Sequence, residues 1–373
     1  MNHVAGSRVW LEIDLTKLRE NAARIRQAVA PCGVIAVLKA NAYGLGVVPI
    51  ARTLATAGVA GFAVAEPDEA LQLVDLGLPV QILGGMLEHE LPHTVAAGLI
   101  HPIVSLDVAE RISAEAARQK KTVECHLLID TGMGRLGILA AEALDTIDKV
   151  MALPNLDCAG VYSHFPMAYR AGEAYTQGQI DLFLTLLNRL EARGVTFRKI
   201  HIANSDAVNN FPRTCQPPFN FVRTGINLHG SFDAEGHRAL SLEPILTLKA
   251  RLVQIRTMPA GAKLGYGLTH TLTKETVVGT VAAGYADGLP LALSNRGHLL
   301  INDHLCPVLG RVSMDYVTVS LAGVPNPRVG DEVICLGGGG RDQVAVDTWA
   351  DLKGTHAYDI ICSFGSRVER KYM

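Results

Sequence analysis

Aromatic residues are scarce in this chain, and charge of neither sign dominates. Phe, Trp and Tyr make up 5% of the 373 residues and charged side chains 19%, with 34 Lys and Arg against 36 Asp and Glu for a formal net charge of -2. A chain so close to neutral has no bulk attraction for nucleic acid or for an anionic membrane surface, so its ligand is expected to be small. Seven cysteines (Cys32, Cys125, Cys158, Cys215, Cys306, Cys335 and Cys362) stand singly, with no CxxC pair and an odd total. That spacing argues against a disulfide framework and against a metal site. A reducing cytoplasm fits it. No stretch is apolar for the length of a bilayer crossing, and Met1 to Arg8 carries no apolar segment, so nothing marks the chain for export or for a membrane.

What the chain does have is apolar residue in quantity, 49% of the total. The length exceeds what one core usually supports, so one large domain and one smaller are expected. Over the first two thirds, short apolar runs alternate with amphipathic segments. Strand-like runs appear at 34–38, 61–65, 80–83, 100–104, 123–129, 156–162, 198–202 and 219–222. Most precede a segment of helical period, such as 109–117, 141–151 or 179–190, with glycine or proline at the joints. Eight such units predict an α/β fold, a (β/α)8 barrel of the TIM type, rather than an open doubly wound sheet. Before them, Val9 to Ile13 alternates like a strand, and Thr16 is placed to cap a helix whose apolar face is Leu18, Ala22, Ile25 and Val29.

From about Ser241 the alternation lengthens, with strands expected at 245–255, 277–282, 298–301, 308–319 and 332–336. The chain is therefore divided into a barrel over 9–240 and a mostly β domain over 241–373, which the strand 9–13 can join. The run Gly337 to Gly340 lacks the lysine of a P-loop and reads as a turn.

In such a barrel the chemistry collects at the C-terminal ends of the strands. Chemically able residues fall there: Lys39, Gly84-Gly85, Asp130 to Arg135, His164, Asn204-Ser205 and Arg223 to Ile226. Lys39, expected to be half surrounded by apolar groups, would lose hydration of its charged form, and its pKa would fall from about 10.4 toward a value at which the amine attacks a carbonyl cofactor. A lysine snorkelling at a loop edge is the rival reading. Ser205, with the N–H groups of Gly225 and Ile226, offers donors suited to a phosphate, although Ser205 serves equally as a helix cap. Taken alone, Arg135 reads as half of a surface ion pair, Met314 as a core residue and Tyr266 as a hairpin aromatic, while His164 and His201 read equally as core histidines with backbone partners or as members of a functional hydrogen-bond chain.

The run Val37-Leu38-Lys39-Ala40-Asn41-Ala42-Tyr43-Gly44 resembles the cofactor-lysine motif of bacterial alanine racemases. Asp130-Thr131-Gly132-Met133-Gly134-Arg135-Leu136-Gly137, Ala203-Asn204-Ser205, Arg223-Thr224-Gly225-Ile226, Gly284-Tyr285-Ala286-Asp287-Gly288 and Gly310-Arg311-Val312-Ser313-Met314-Asp315 follow in that family's order. The resemblance spans nearly the whole chain and implies pyridoxal 5'-phosphate as cofactor and L- and D-alanine as the interconverted pair. Inverting a stereocentre requires a proton removed from one face of Cα and one delivered to the other. The resemblance gives those roles to Lys39, which also carries the cofactor as a Schiff base, and to Tyr266. It places Tyr43, His164, Ser205, Arg223, Gly225, Ile226 and Tyr358 at the cofactor and Arg135 and Met314 at the substrate, with His201, Tyr285 and Asp315 in support. A guanidinium keeps its proton, so Arg223 facing the pyridine nitrogen would leave that nitrogen unprotonated and favour racemisation over transamination. His201 and His164 would extend a hydrogen-bond chain from Arg223 towards Tyr266. The implied partner is a second copy of the chain, each subunit lending Tyr266 and Met314 to the other's site.

Several positions depart from the family pattern. Leu128 stands where many relatives carry a lysine that becomes carbamylated and orients the arginine. His229 replaces a common tyrosine, Gly265 a frequent serine, Tyr316 a frequent glutamine, and Leu291 an entrance arginine. These changes bear on substrate range more than on reaction type and keep a serine or broad-specificity racemase in view. A non-catalytic pyridoxal phosphate carrier would resemble the barrel alone. A basic amino-acid decarboxylase shares the two-domain plan but sets an acidic partner against the pyridine nitrogen, which Arg223 contradicts.

Overall fold

The computed structural model describes residues 6–232, 238–338 and 343–373. Gly339 and Gly340 of the glycine run, and Met1 to Ala5, lie outside the described residues. The chain divides into two compact units, one of Leu18–Ala42 and Gly46–Glu243, the other of Met1–Lys17, Tyr43–Leu45 and Pro244–Met373.

Among the described residues the first elements are β1 (Val9–Ile13), which belongs to the second unit, and α1 (Leu15–Val29). Asp14, not Thr16, caps α1: the helix starts at Leu15, and the Lys17 N–H donates to Asp14 Oδ1 at 2.9 Å. The face of Leu18, Ala22, Ile25 and Val29 is buried as its spacing predicts. Asn21 is buried on the same face and is satisfied by backbone, donating to the carbonyls of Leu228 and Glu243 and accepting the Glu243 N–H.

Among the described residues, eight parallel strands form the barrel: β2 (Gly33–Val37), β3 (Gly61–Val64), β4 (Val80–Ile82), β5 (His101–Ile103), β6 (Val123–Asp130, with the short β7, Ile138–Leu139, beside it), β8 (Leu156–Tyr162), β9 (Lys199–His201) and β10 (Phe221–Thr224). Hydrogen bonding runs β10-β2-β3-β4 and β5-β6-β8-β9. The two arcs join where the Ile82 N–H donates to Ile100 O and the Ile100 N–H to Val80 O, and where the Asn220 N–H donates to Ile200 O and the Arg223 N–H to Ala203 O. Every strand falls within a residue or two of the run that predicts it.

After β2 comes a short turn, α2 (Lys39–Tyr43), left-handed from Ala40 on, and the helices that follow are α3 (Val47–Thr56), α4 (Pro67–Leu71), α5 (Leu91–Ala96), α6 (Leu106–Arg118), α7 (Ala143–Met151), α8 (Ala174–Glu191) and α9 (Ser205–Asn210). Ser105 caps α6 by accepting the Val108 N–H, and α7 buries Leu144, Ile147 and Val150 at helical spacing.

The second unit holds β11 (Leu246–Met258), β12 (Lys263–Leu264), β13 (His270–Thr271), β14 (Thr276–Val281), β15 (His298–Ile301), β16 (His304–Pro307), β17 (Val317–Ser320), β18 (Glu332–Leu336) and β19 (Glu369–Tyr372). Its sheet runs β16-β15-β18-β11-β1-β19, and β14 joins β11 to β17. Thus β1 pairs antiparallel with β11 and parallel with β19. The strand expected over 308–319 is broken. Val308 makes a single bridge to Val319, and Gly310 at φ 80 turns the chain so closely past Leu264 that a Cβ there would sit 2.9 Å from its carbonyl oxygen. Two helices that the alternating pattern does not reveal, α10 (Val346–Lys353) and α11 (Ala357–Cys362), bury Trp349, Ile360 and Ile361. No helix among the described residues is long and apolar enough to cross a membrane.

Candidate active site

Lys39 is the second residue beyond β2, and the four residues after it wind left-handed: Ala40 (φ 54), Asn41 (φ 55), Ala42 (φ 53) and Tyr43 (φ 57). Each such L-residue costs on the order of 1–2 kcal/mol, so neighbouring contacts must hold the turn. The Ala42 N–H donates to Leu38 O at 2.9 Å, the Asn41 N–H to Glu69 Oε1 at 3.0 Å, and the Asn41 side-chain oxygen accepts the Val47 N–H at 2.8 Å. Glu69 also accepts the Ala65 N–H at 3.1 Å, tying the turn to the end of β3. Lys39 itself is exposed in the single chain, where the apolar enclosure expected for it is not present.

At the end of β6 the Asp130 carboxylate accepts the N–H groups of Gly132 (2.8 Å), Met133 (2.8 Å) and Gly134 (3.0 Å), shaping the loop that presents an exposed Arg135. Leu128 is buried two residues earlier, in register with Tyr162.

Arg223, on β10, is 4% exposed. Its Nη1 donates to His201 Nδ1 at 2.5 Å, its Nη2 donates to Ser163 O at 2.6 Å, and its Cζ lies 5.1 Å from the centre of the Tyr162 ring. Burial lowers its pKa to about 10, which leaves it protonated at neutral pH. Among the described residues no carboxylate contacts it and its Nε has no hydrogen-bond partner, so one N–H is left over. Tyr162 stacks on His201 at 5.0 Å, and burial pushes its phenol up to about 12.

His164 is held down to about 3 by burial and then by the positive charges of Arg223, Arg135 and Lys39. It is a neutral imidazole among three cations. Its ring makes no hydrogen bond among the described residues. The chain from Arg223 runs through His201 to His126 instead, at 3.3 Å.

Ser205 Oγ accepts the Gly225 N–H at 3.0 Å and lies 3.2 Å from Thr224 Oγ1. Asn204 caps α9 by accepting the Ala207 N–H, so Ser205 is not the cap.

In the second unit Tyr266 is 73% and Met314 53% exposed, with Leu268, Tyr285, Leu291 and Tyr316 exposed as well. Gly265, beside Tyr266, has φ 70 and ψ -177, a conformation glycine adopts freely and serine does not. The turns carrying Tyr285 and Met314 are joined by the Tyr285 N–H to Ser313 O (3.0 Å) and the Ala286 N–H to Met314 O (3.1 Å). Arg367 clamps them: its Nε and Nη2 bond the buried Asp287 at 2.7 and 2.9 Å, and its Nη1 bonds Asp315 at 2.7 Å. The rings of Tyr43 and Tyr358 lie 5.8 Å apart in this unit.

The donor set fits pyridoxal phosphate, with an exposed lysine for its aldehyde, a spare guanidinium N–H for its ring nitrogen, and the buried Ser205 hydroxyl, tied to the Gly225 N–H, for its phosphate. Family profiles cover nearly all of the chain: "Alanine racemase, N-terminal domain" matches residues 13–232 and "Alanine racemase, C-terminal domain" residues 245–372. The chain belongs to the alanine racemase family. The alanine racemase of Desulforamulus reducens is 38% identical over 371 residues, spanning 98% of this chain and 99% of that one. The alanine racemase of Clostridium difficile 630 matches with a TM-score of 0.93 at 30% identity, over 99% of this chain and 97% of that one. That of Bartonella henselae, solved with covalently bound pyridoxal phosphate, matches with a TM-score of 0.88 at 28% identity, over 99% and 100%. The barrel with a C-terminal β domain is the alanine racemase fold, and pyridoxal phosphate is the cofactor of the alanine racemases.

Sequence reasoning does not single out Glu69, Glu124, His126, Lys199, Thr224 or Arg367. Glu124 and His126 have a legible signal, since positions i and i+2 of a strand share a face.

Proposed function

We propose that this chain is a pyridoxal-phosphate-dependent alanine racemase that interconverts L- and D-alanine with two bases. The observation carrying the reading is Arg223: a buried, protonated guanidinium with one N–H left over and no carboxylate against it. Lys39 would hold pyridoxal phosphate covalently, and the cofactor would supply acidity at the Cα–H of an amino acid. Arg223, which keeps its proton, would be the residue at the ring nitrogen. Ser205, Gly225 and Ile226 would bind the phosphate, Tyr43 and Tyr358 are the further residues that the family resemblance gives to it, and burial holds His164 neutral. Arg135 meets the substrate carboxylate with its fork of donors, joined by the Met314 backbone N–H. The Lys39 amine and the Tyr266 phenol hold and exchange protons on opposite faces of Cα.

The working form is a cytoplasmic homodimer. Exposure of Tyr266, Met314 and their apolar neighbours supports a surface that a second copy covers, each subunit completing the other's site. Borohydride reduction of the yellow holoenzyme followed by peptide mapping is expected to find the reduced adduct on Lys39, and turnover in deuterated water to label alanine at Cα. An adduct on another lysine, or alanine recovered without deuterium, would overturn the reading.

Leu128 favours a second reading, a racemase of wider range. An aliphatic side chain there cannot become the carbamate that orients Arg135 in many relatives. A panel of L-amino acids scored for D-product decides between them: alanine is expected to lead, and equal efficiency on serine would remove the narrower assignment.

A further inference from the structure

A polar chain runs inside the barrel that the two-base chemistry does not use. Arg223 Nη1 meets His201 Nδ1 at 2.5 Å, His201 Nε2 meets His126 Nδ1 at 3.3 Å, and His126 Nε2 meets Glu124 Oε1 at 3.0 Å. The same carboxylate oxygen accepts Lys199 Nζ at 2.6 Å. Arg223, His201 and His126 are buried, whereas Glu124 and Lys199 are partly open.

The direction of every proton in this chain follows from its ends, because a guanidinium only donates and a carboxylate only accepts. His201 must accept at Nδ1 and so carries its proton on Nε2. That proton is donated to His126 Nδ1, which leaves the His126 proton on Nε2, pointing at Glu124. Reversing either imidazole sets two N–H groups against each other at Arg223 or two lone pairs against each other at Glu124. Adding a proton to His201 also places a second cation beside the buried Arg223, and adding one to His126 sets its Nδ1–H against the Nε2–H of His201. Burial, followed for His201 by the charge of Arg223, holds both histidines below their ordinary pKa, and the His126 hydrogen bond and Lys199 keep Glu124 ionised, at about 2. Glu124 is thus the negative charge that reaches Arg223, through two neutral imidazoles.

We propose that Glu124 and His126 are positioning residues for Arg223. They lock His201 as the Nε2–H tautomer and fix the guanidinium so that its spare N–H stays aimed at the cofactor's ring nitrogen. The last step rests on the racemase reading, whereas the tautomer lock does not.

The test is ¹⁵N-histidine NMR of the holoenzyme, paired with kinetics of Glu124→Gln and Glu124→Asp. In the wild type, His126 and His201 are expected as neutral Nε2–H tautomers from about pH 6 to about pH 9. Glu124→Gln lets an amide N–H face His126, so mixed tautomers are expected, together with a shifted cofactor absorbance. Transamination is expected to rise about tenfold relative to racemisation, the equivalent of one pKa unit at the ring nitrogen, with KM for alanine little changed. Glu124→Asp should restore the wild-type tautomers. An Nδ1–H tautomer at either histidine of the wild type, or unchanged tautomers, absorbance and partition in Glu124→Gln, would overturn the proposal. Should the protein fail to racemise any amino acid, the racemase reading falls and the wild-type tautomers still decide the lock.

Discussion

Tyr266, 73% exposed, and Arg223, 4% exposed, differ sharply in solvent contact, and on the proposed reading each environment suits its role. A second base lent by a partner subunit would have to stand clear of its own chain, whereas a guanidinium proposed to keep a fixed orientation is best walled in. Tyr266→Phe is expected to lower racemisation by roughly 10²- to 10⁴-fold, the usual worth of a positioned acid or base, while leaving the cofactor absorbance intact. Full turnover by that variant would remove the second base. The left-handed turn after Lys39 makes a stability prediction. Ala40 is exposed at φ 54, so Ala40→Val adds a branched Cβ to a backbone that already disfavours one, without disturbing the core. A loss of about 1–2 kcal/mol and a lower melting temperature are expected. An unchanged melting curve would mean that the turn relaxes in solution.

At the level of elements, the sheets position and the turns act. The end of β6 holds Asp130, whose carboxylate gathers three N–H groups and so decides where Arg135 emerges. In the second unit, Arg367 does the equivalent for the turns of Tyr285 and Met314, binding a buried Asp287 and an exposed Asp315 together. Arg367→Ala strands the Asp287 charge. Removing one partner of a buried pair typically costs 3–5 kcal/mol, and the half exposure of Arg367 reduces this to about 2–3. Thermal denaturation measures that loss, and KM for alanine is expected to rise as the Met314 turn loosens. A variant as stable as the wild type would show that water replaces the clamp. The motif around Met314 and Asp315 is visible in the sequence, but Arg367, 52 residues beyond Asp315, is not, since nothing local marks it.

Across the whole molecule, the barrel carries buried neutral histidines, and these set its response to acid. Burial holds His101 at about 4 and His164 at about 3, and keeps His126 and His201 below the ordinary 6.5. Below 6.5 the unfolded chain takes up protons that the folded barrel refuses, so their contribution is complete above that pH and is lost as pH falls toward 4 and then 3. Glu124 acts with the same sign: held at about 2 against an ordinary 4.5, mainly by His126, its contribution disappears between those values. Melting temperature is expected to be flat from about pH 7 to about pH 9 and to fall steadily below about 6.5. A curve flat down to pH 4 would mean that these histidines protonate in place.

The sequence by itself determined where the eight barrel strands lie, which residues stand at their C-terminal ends, and the order of the family's motifs. Strand alternation, helical spacing and short motifs are local properties, readable within a few residues. Only the tertiary structure decided that β1 lies between β11 and β19, that Asn204 caps α9 and leaves Ser205 to Gly225, and that Lys39 precedes a left-handed turn. It also decided that Glu124 and Lys199, 75 residues apart, meet beneath His126. Such contacts depend on the register between distant strands and on the direction in which each hydrogen bond can point, and no stretch of residues encodes either alone.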